Sequence, residues 1–291
     1  MANGIIIVDK PADWTSQDVA AKLRGVFHER RIGHGGTLDP MATGVLPIFV
    51  GRATRAVPYF ESAEKEYIAT LHLGLETDTQ DITGTCLRTA PVAVTQAELE
   101  HVLSQFLGPQ QQLPPMYSAV KIGGKQLDEL ARQGKTVERA PRQIEVFALE
   151  LLGGQGADWR LRVHCSKGTY IRTLCQDIGA ALGCGGCMAA LRRTKAGAFS
   201  LDQAIPLADL IADPDAASRL LGVDTLFAQY PAVTLTARQE QLCRNGAAFT
   251  MRGLPAGFVR VYSQSGAFLM LGRECDGRLA TEKSFFEVST T

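Results

Sequence analysis

Gly33-His34-Gly35-Gly36-Thr37-Leu38-Asp39-Pro40-Met41-Ala42-Thr43-Gly44-Val45-Leu46 is the stretch around which the chain reads. Its three glycines before Leu38 allow positive φ and close approach of a ligand to the backbone. Pro40 biases Asp39 toward an extended conformation, so the carboxylate should project from a rigid kink rather than from a helix. The apolar run Val45-Leu46-Pro47-Ile48-Phe49-Val50 should anchor the loop in a buried strand. A lone carboxylate held in this way, with His34 and Thr37 beside it, suits a nucleophile or a base. On the loop alone, an Asx-type turn that caps local amides reads equally well.

Composition narrows the class. The chain has 291 residues, 45% hydrophobic and 21% charged, as in a soluble globular protein with one large domain and a smaller one. No apolar run approaches the ~20 residues of a membrane span. Met1-Ala2-Asn3-Gly4 leads straight into the strand-like Ile5-Ile6-Ile7-Val8, with no charged leader or cleavage site, so a cytoplasmic location is expected. Seven scattered cysteines fit reduced thiols. Cys184-Gly185-Gly186-Cys187 has no second Cys-x-x-Cys to complete a zinc site and reads as incidental. Lys plus Arg equals Asp plus Glu at 30 each, yet Arg160, Arg162, Lys167, Arg172, Arg192, Arg193 and Lys195 gather against Asp177 alone. Lys121, Lys125, Arg132, Lys135, Arg139 and Arg142 make a second basic stretch. A basic face on a neutral protein is compatible with nucleic acid, and a solvated face explains it as well.

The remaining elements follow from periodicity. Thr15 or Ser16 caps a helix with stripe Val19, Leu23, Val26 and Phe27. Glu66–Leu73 alternates as a strand, with Tyr67 on the apolar face of Ala69, Leu71 and Leu73, where a core tyrosine is the plain reading. Thr95 and Glu98 form a capping box before Leu99, Val102, Leu103 and Phe106, and Gly108-Pro109 stops that helix. Residues 110–125 read as loop. Trp159–Ser166 alternates again, and Lys167-Gly168-Thr169 turns into a helix with stripe Ile171, Leu174, Ile178 and Leu182. Arg172 stands in its first turn, where the helix dipole disfavours a cation, so a specific carboxylate partner is expected. Beyond Gln203 an acidic helical stretch runs to Tyr230, and short strands over 258–262, 267–271 and 278–285 close the chain as a small β module.

Five segments together resemble the TruB family of tRNA pseudouridine synthases. They are the opening stretch, Lys10-Pro11 with Thr15-Ser16, Lys65-Glu66-Tyr67 with Thr77–Asp81, Leu113-Pro114-Pro115-Met116-Tyr117-Ser118-Ala119-Val120-Lys121, and Ser166-Lys167-Gly168-Thr169-Tyr170-Ile171-Arg172. The family usually has Leu-Tyr where this chain has Leu127-Asp128, which puts one aromatic contact in doubt.

The resemblance implies an α+β pseudouridine-synthase fold: a central mixed, mostly antiparallel sheet flanked by helices, plus a small C-terminal PUA-like β-barrel. A catalytic domain over 1–230, an RNA-gripping insertion at about 110–143 and a PUA-like RNA-binding domain over 231–291 are expected. By the same resemblance Asp39 is the nucleophile, Arg172 its partner, and Tyr67 packs against the target base. His34, Tyr170 and Leu191 contact the base or its neighbours, while Lys121 and Arg55 are further substrate contacts. The expected substrate is uridine 55 of the tRNA T loop, taken by a cofactor-free, metal-free, non-membrane monomer.

The chemistry is consistent with these residue types. Turning uridine into pseudouridine is neither a redox nor a phosphate-cleaving reaction, and the sequence holds no GxxxxGK[ST] loop. The reaction calls for an active carboxylate, a cation to aim it, a base for the C5 proton and a flat pocket. An RNA-folding module without catalysis, a guide-RNA-dependent synthase of the same fold and a single-carboxylate hydrolase are the competing readings.

Overall fold

Gly4–Lys10 (β1) is apolar on both faces, with Ile6 and Val8 buried on one side and Ile5 and Ile7 on the other. Such a strand belongs inside a sheet covered twice, and that is where it lies. The structure, a computed structural model, describes residues 2–118, 120–135 and 137–286, without the side chains of Lys121 and Ile122. Ser16–Phe27 (α1) starts at a Thr15/Asp18 capping box and is followed by Ile32–His34 (β2) and Thr43–Val50 (β3). A 3-10 segment, Gly51–Ala56, runs into Val57–Glu61 (α2), then Lys65–Leu73 (β4) and the hairpin Leu75–Thr77 (β5) and Cys86–Thr89 (β6). Gln96–Ser104 (α3) carries the Thr95/Glu98 capping box and leads to Gly108–Gln112 (β7). The insertion holds Lys121–Ile122 (β8), Lys125–Gln126 (β9) and Leu127–Arg132 (α4). Arg142–Gln155 (β10), Asp158–Cys165 (β11), Ile171–Ala181 (α5), Gly186–Ala196 (β12), Phe199–Ser200 (β13), Ile205–Pro206 (β14) and Leu207–Ala212 (α6) complete the larger part.

Ten strands form one sheet in the order β14-β1-β3-β12-β4-β11-β10-β7, with β2 on β3 and β13 on β12. Only β1–β14 and β3–β12 are parallel, so the sheet is mixed and mostly antiparallel. Side chains of α1, α3, α5 and α6 fill one face against Val8, Leu46, Leu71 and Leu161. Residues 110–112, expected as loop, belong instead with the helix-stopping Gly108-Pro109 to an edge strand registered on β10 from Gly108↔Val146 to Gln112↔Arg142. The pairing is tertiary, and an edge is where Pro109 is tolerated, so no local pattern announces it. At the β3–β12 contact a Cβ on Gly44 would overlap the Arg193 carbonyl, and Gly44 has φ 101°, so only glycine fits.

The second sheet, order β15-β17-β18-β19-β16, is five-stranded and curled, as a PUA-like half-barrel requires. Its strands are Ala232–Thr234 (β15), Phe249–Thr250 (β16), Phe258–Tyr262 (β17), Phe268–Cys275 (β18) and Arg278–Ser284 (β19), with one helix, Ala237–Arg244 (α7), that the strand-like texture did not suggest. This module is not a free appendage. Phe285 and Leu271 share a buried cluster with Phe49, Phe60 and Phe227 on the second face of the large sheet. The Phe227 ring lies 5.6 Å from Tyr59, 6.2 Å from Phe268 and 6.0 Å from Phe285. Arg55 Nη1 donates to Ser284 Oγ (3.0 Å), Tyr59 Oη to Glu282 (3.3 Å) and Tyr262 Oη to Asp224 (2.7 Å).

Three predictions follow from the fold. Phe285→Ala removes a buried ring and should cost about 3–5 kcal/mol of stability, read as a lower denaturation midpoint. Cutting the chain after Tyr230 strips the same cluster of Phe268, Leu271 and Phe285 and should give a self-associating product on size-exclusion chromatography. The third concerns Lys10, which closes β1 fully buried with a pKa lowered to about 8 by burial. Its unfolded form keeps a proton up to about 10.5, so the unfolded state binds more protons between those values and stability rises with pH there. Wild type should therefore gain stability relative to Lys10→Met between pH 8 and 10.5 in parallel denaturation series. A constant difference would show that Lys10 does not titrate in this window.

Candidate active site

The loop between β2 and β3 is held through its backbone. From Gly36 to Pro40 every carbonyl has a donor. Arg193 Nη2 and Nη1 serve Gly36 (3.1 Å) and Thr37 (3.4 Å), and its Nε serves Val45 (2.7 Å). Ser16 Oγ donates to the Leu38 carbonyl (3.3 Å) and accepts from the Leu38 N–H (2.8 Å). The Asp39 carbonyl takes the Ala42 N–H, and the Pro40 carbonyl takes both Lys10 Nζ (3.0 Å) and the Asp13 N–H (2.9 Å). Of the three glycines, only Gly36 has positive φ, at 102°. Gly35 matters for space instead, since a Cβ there would press on the Phe60 ring.

With its backbone so committed, the loop presents the Asp39 carboxylate to Arg172 as a fork. Arg172 Nε lies 3.0 Å from Asp39 Oδ2, and Nη2 lies 3.1 Å from Oδ1. Arg172 is buried, and its other N–H groups reach the carbonyls of Tyr117 (2.8 Å) and Thr79 (3.2 Å), with Asp81 Oδ2 at 3.7 Å. The first-turn cation at α5 thus has its carboxylate partner, and a second one behind it. Asp81 is itself buried and fixed, its Oδ1 accepting from Thr83 Oγ1 (2.6 Å), Thr79 Oγ1 (2.9 Å) and the Thr83 N–H (3.0 Å). Burial pushes the Asp39 carboxyl above its ordinary range and Asp81 adds to this, while Arg172 and Lys10 pull it back.

Around the pair stand the other residues singled out in the sequence. Tyr67 and Leu191 are buried on the same face of β4 and β12, with Leu38 and Ile171 in the same cluster. Burial raises the Tyr67 hydroxyl, which lies beside the Arg193 guanidinium. His34 ends β2 half-buried, and burial followed by the Arg193 charge lowers its pKa, so the ring is neutral at pH 7. Tyr170 is the half-buried N-cap of α5. Arg55 stands apart on the 3-10 segment after β3, hydrogen-bonded to Ser284 at the junction with the C-terminal module. The Lys121 side chain lies outside the described residues. Cys184 and Cys187 are buried free thiols.

Four residues of this arrangement carry no role at the site in the sequence reading: Asp81, Arg193, Lys10 and Ser16, the last read only as a possible helix cap. Sequence alone does not separate Asp81 from Asp78, because Thr77-Asp78-Thr79-Gln80-Asp81 reads as an ordinary polar turn. Asp78 does serve as one, accepting the Thr85 N–H at 2.7 Å. Lys10 and Ser16 lie in a quoted segment, but only the fold brings them to Pro40 and Leu38. Chemically the arrangement offers one aimed carboxylate, a bidentate cation and a buried tyrosine hydroxyl among apolar side chains.

Residues 24–171 match the family model described as TruB family pseudouridylate synthase (N terminal domain), and residues 172–223 match the tRNA pseudouridylate synthase B C-terminal domain. The tRNA pseudouridine synthase B of Aromatoleum aromaticum is 45% identical over 95% of this chain and 90% of its own length. That of Francisella tularensis subsp. novicida is 42% identical over 97% and 95%. Among solved structures, an H/ACA ribonucleoprotein bound to a substrate RNA containing 2'-deoxyuridine superposes with TM-score 0.74 at 25% identity, covering 99% of this chain and 86% of that one. A Cbf5-Nop10-Gar1 complex gives the same TM-score at 28% identity, with the same coverage. With model matches across most of its length and relatives this similar, the chain belongs to the TruB family of tRNA pseudouridine synthases.

Proposed function

We propose that this enzyme converts uridine 55 in the T loop of cytoplasmic tRNA to pseudouridine, with Asp39 as the nucleophile. The bidentate Asp39–Arg172 pair beside Tyr67 and Leu191 carries the reading. In the reaction the N1–C1′ bond breaks, the base turns over and C5 bonds to C1′. The C5 proton is released and N1 takes one up, so atoms balance without a redox partner. Arg172 keeps Asp39 ionised against its burial and aims both oxygens, as a planar fork does. The uridine must leave its stack at a cost of a few kcal/mol, least in a loop. A neutral His34 ring is suited to stack in the place the base vacates. Tyr67, Tyr170 and Leu191 wall the pocket. In this reading residues 1–230 form the catalytic domain with the insertion at about 110–143, and residues 231–291 form the RNA-binding module.

Tritium release from C5-labelled uridine in a tRNA transcript tests the proposal, since formation of the C–C bond displaces that hydrogen. Release should stop when position 55 alone is replaced by cytidine, and persistent release would move the target elsewhere. Asp39→Asn keeps size and polarity but removes the charge, so turnover should fall to background with RNA binding retained. Substantial turnover in that variant would remove Asp39 from the mechanism and favour an RNA-folding role for the loop. Arg172→Lys should be about 10–100-fold slower than wild type, because a point charge cannot reproduce the fork, and Arg172→Ala slower still. Asp81→Asn should slow turnover less than Arg172→Ala, since Asp81 touches only the back of the guanidinium at 3.7 Å. Equal rates across the Arg172 series would show that the pair is not part of the chemistry.

A further inference from the structure

Residues 112–117 open the insertion and are tied at both ends to residues 170–172. Gln112, the buried last residue of β7, donates from Nε2 to the Tyr170 carbonyl (3.0 Å) and accepts at Oε1 from the Tyr170 N–H (2.8 Å). Five residues on, the Tyr117 carbonyl accepts from Arg172 Nη2 (2.8 Å). Pro114 and Pro115 restrict the backbone between these ties, and the Pro114 carbonyl is held by Arg139 Nη1 (2.8 Å) from the far end of the insertion. Tyr170 is the N-cap of α5 without a side-chain cap of its own, and its carbonyl also receives the Leu174 N–H (3.0 Å). The Gln112 amide therefore grips both backbone polar groups of the residue that starts the helix. Arg172, the second residue of that helix, reaches the Asp39 carboxylate.

We infer that Gln112 is a positioning residue: it sets the first turn of α5 so that Arg172 meets Asp39 as a fork, and it links that geometry to the seating of the insertion. The inference rests on the Asp39–Arg172 pair being catalytic. An amide that merely satisfied a buried backbone would affect stability and leave the chemical step alone.

Two near-isosteric variants of the full chain separate these roles, measured against active wild type by single-turnover pseudouridine formation on a T stem-loop, with RNA affinity and circular dichroism in parallel. Gln112→Met removes both hydrogen bonds. It should form pseudouridine about 10–100-fold more slowly, as sub-ångström displacement of a catalytic group does, with RNA affinity little changed. Gln112→Glu keeps the acceptor for the Tyr170 N–H but turns a second oxygen on the Tyr170 carbonyl. Buried there, the acid has a raised pKa, and on protonation it regains an O–H donor. The rate of Gln112→Glu relative to wild type should therefore rise as pH falls from 8 to 6, whereas the Gln112→Met ratio should stay flat. A folded Gln112→Met variant with the wild-type rate, or a Gln112→Glu ratio independent of pH, overturns the positioning role while leaving the activity itself intact.

Discussion

Everything at this site depends on a loop whose carbonyls at residues 36, 37 and 40 are occupied by buried cations. Arg193 and Lys10 are both buried and spend their hydrogen bonds on main-chain oxygens at residues 11, 36, 37, 40 and 45. Burying a cation is unfavourable unless it finds acceptors, and a short glycine-containing loop with its carbonyls turned inward supplies them. The two requirements satisfy each other. Neither the loop conformation nor the buried charge would persist alone. A consequence is that Asp39 sits in a positive surrounding, with Arg172 in front and Lys10 behind, which opposes the neutralisation that burial favours.

The same economy governs Arg172. Its guanidinium is shared by Asp39, Asp81, the Thr79 carbonyl and the Tyr117 carbonyl, which belong to three separate stretches of chain besides its own helix. One side chain thus joins the Asp39 loop, the turn after β5, the insertion and α5. Charge-assisted bonds of this kind are short and directional, so a small shift in any one stretch redirects the fork. The carboxylate is held from the front, and the arginine from behind.

Local sequence carried the elements that have a local cause. The helix cap at Thr15 or Ser16, the capping box at Thr95/Glu98, the period-two strands with Tyr67 and Trp159, and the misplaced cation at the start of α5 could all be read before any tertiary contact was known. What escaped has a non-local cause. Gly108–Gln112 is a strand only because β10 runs beside it, and α7 has a low apolar content that hides its helical period. Asp81 and Arg193 looked like a turn acid and one of two adjacent arginines. Their roles come from burial, which separates Arg193 from the half-exposed Arg192 paired to Asp9.

Strand order has a consequence for how such a molecule is made. Asp39 and Arg172 are 133 residues apart, and Thr37 and Arg193 are 156 apart. β1 takes one neighbour from β3 and the other from β14, where Val8 faces Ile205. A ribosome that has delivered the first three strands has produced Asp39 but neither Arg172 nor Arg193, and β1 waits with one edge open until residue 205 arrives. Long loops must close before the buried charges find their acceptors, which places this architecture among slow, non-locally wired folders. Catalytic competence is therefore reached late in synthesis, and until then Ile5–Val8 is an apolar edge that the growing chain must keep from foreign strands.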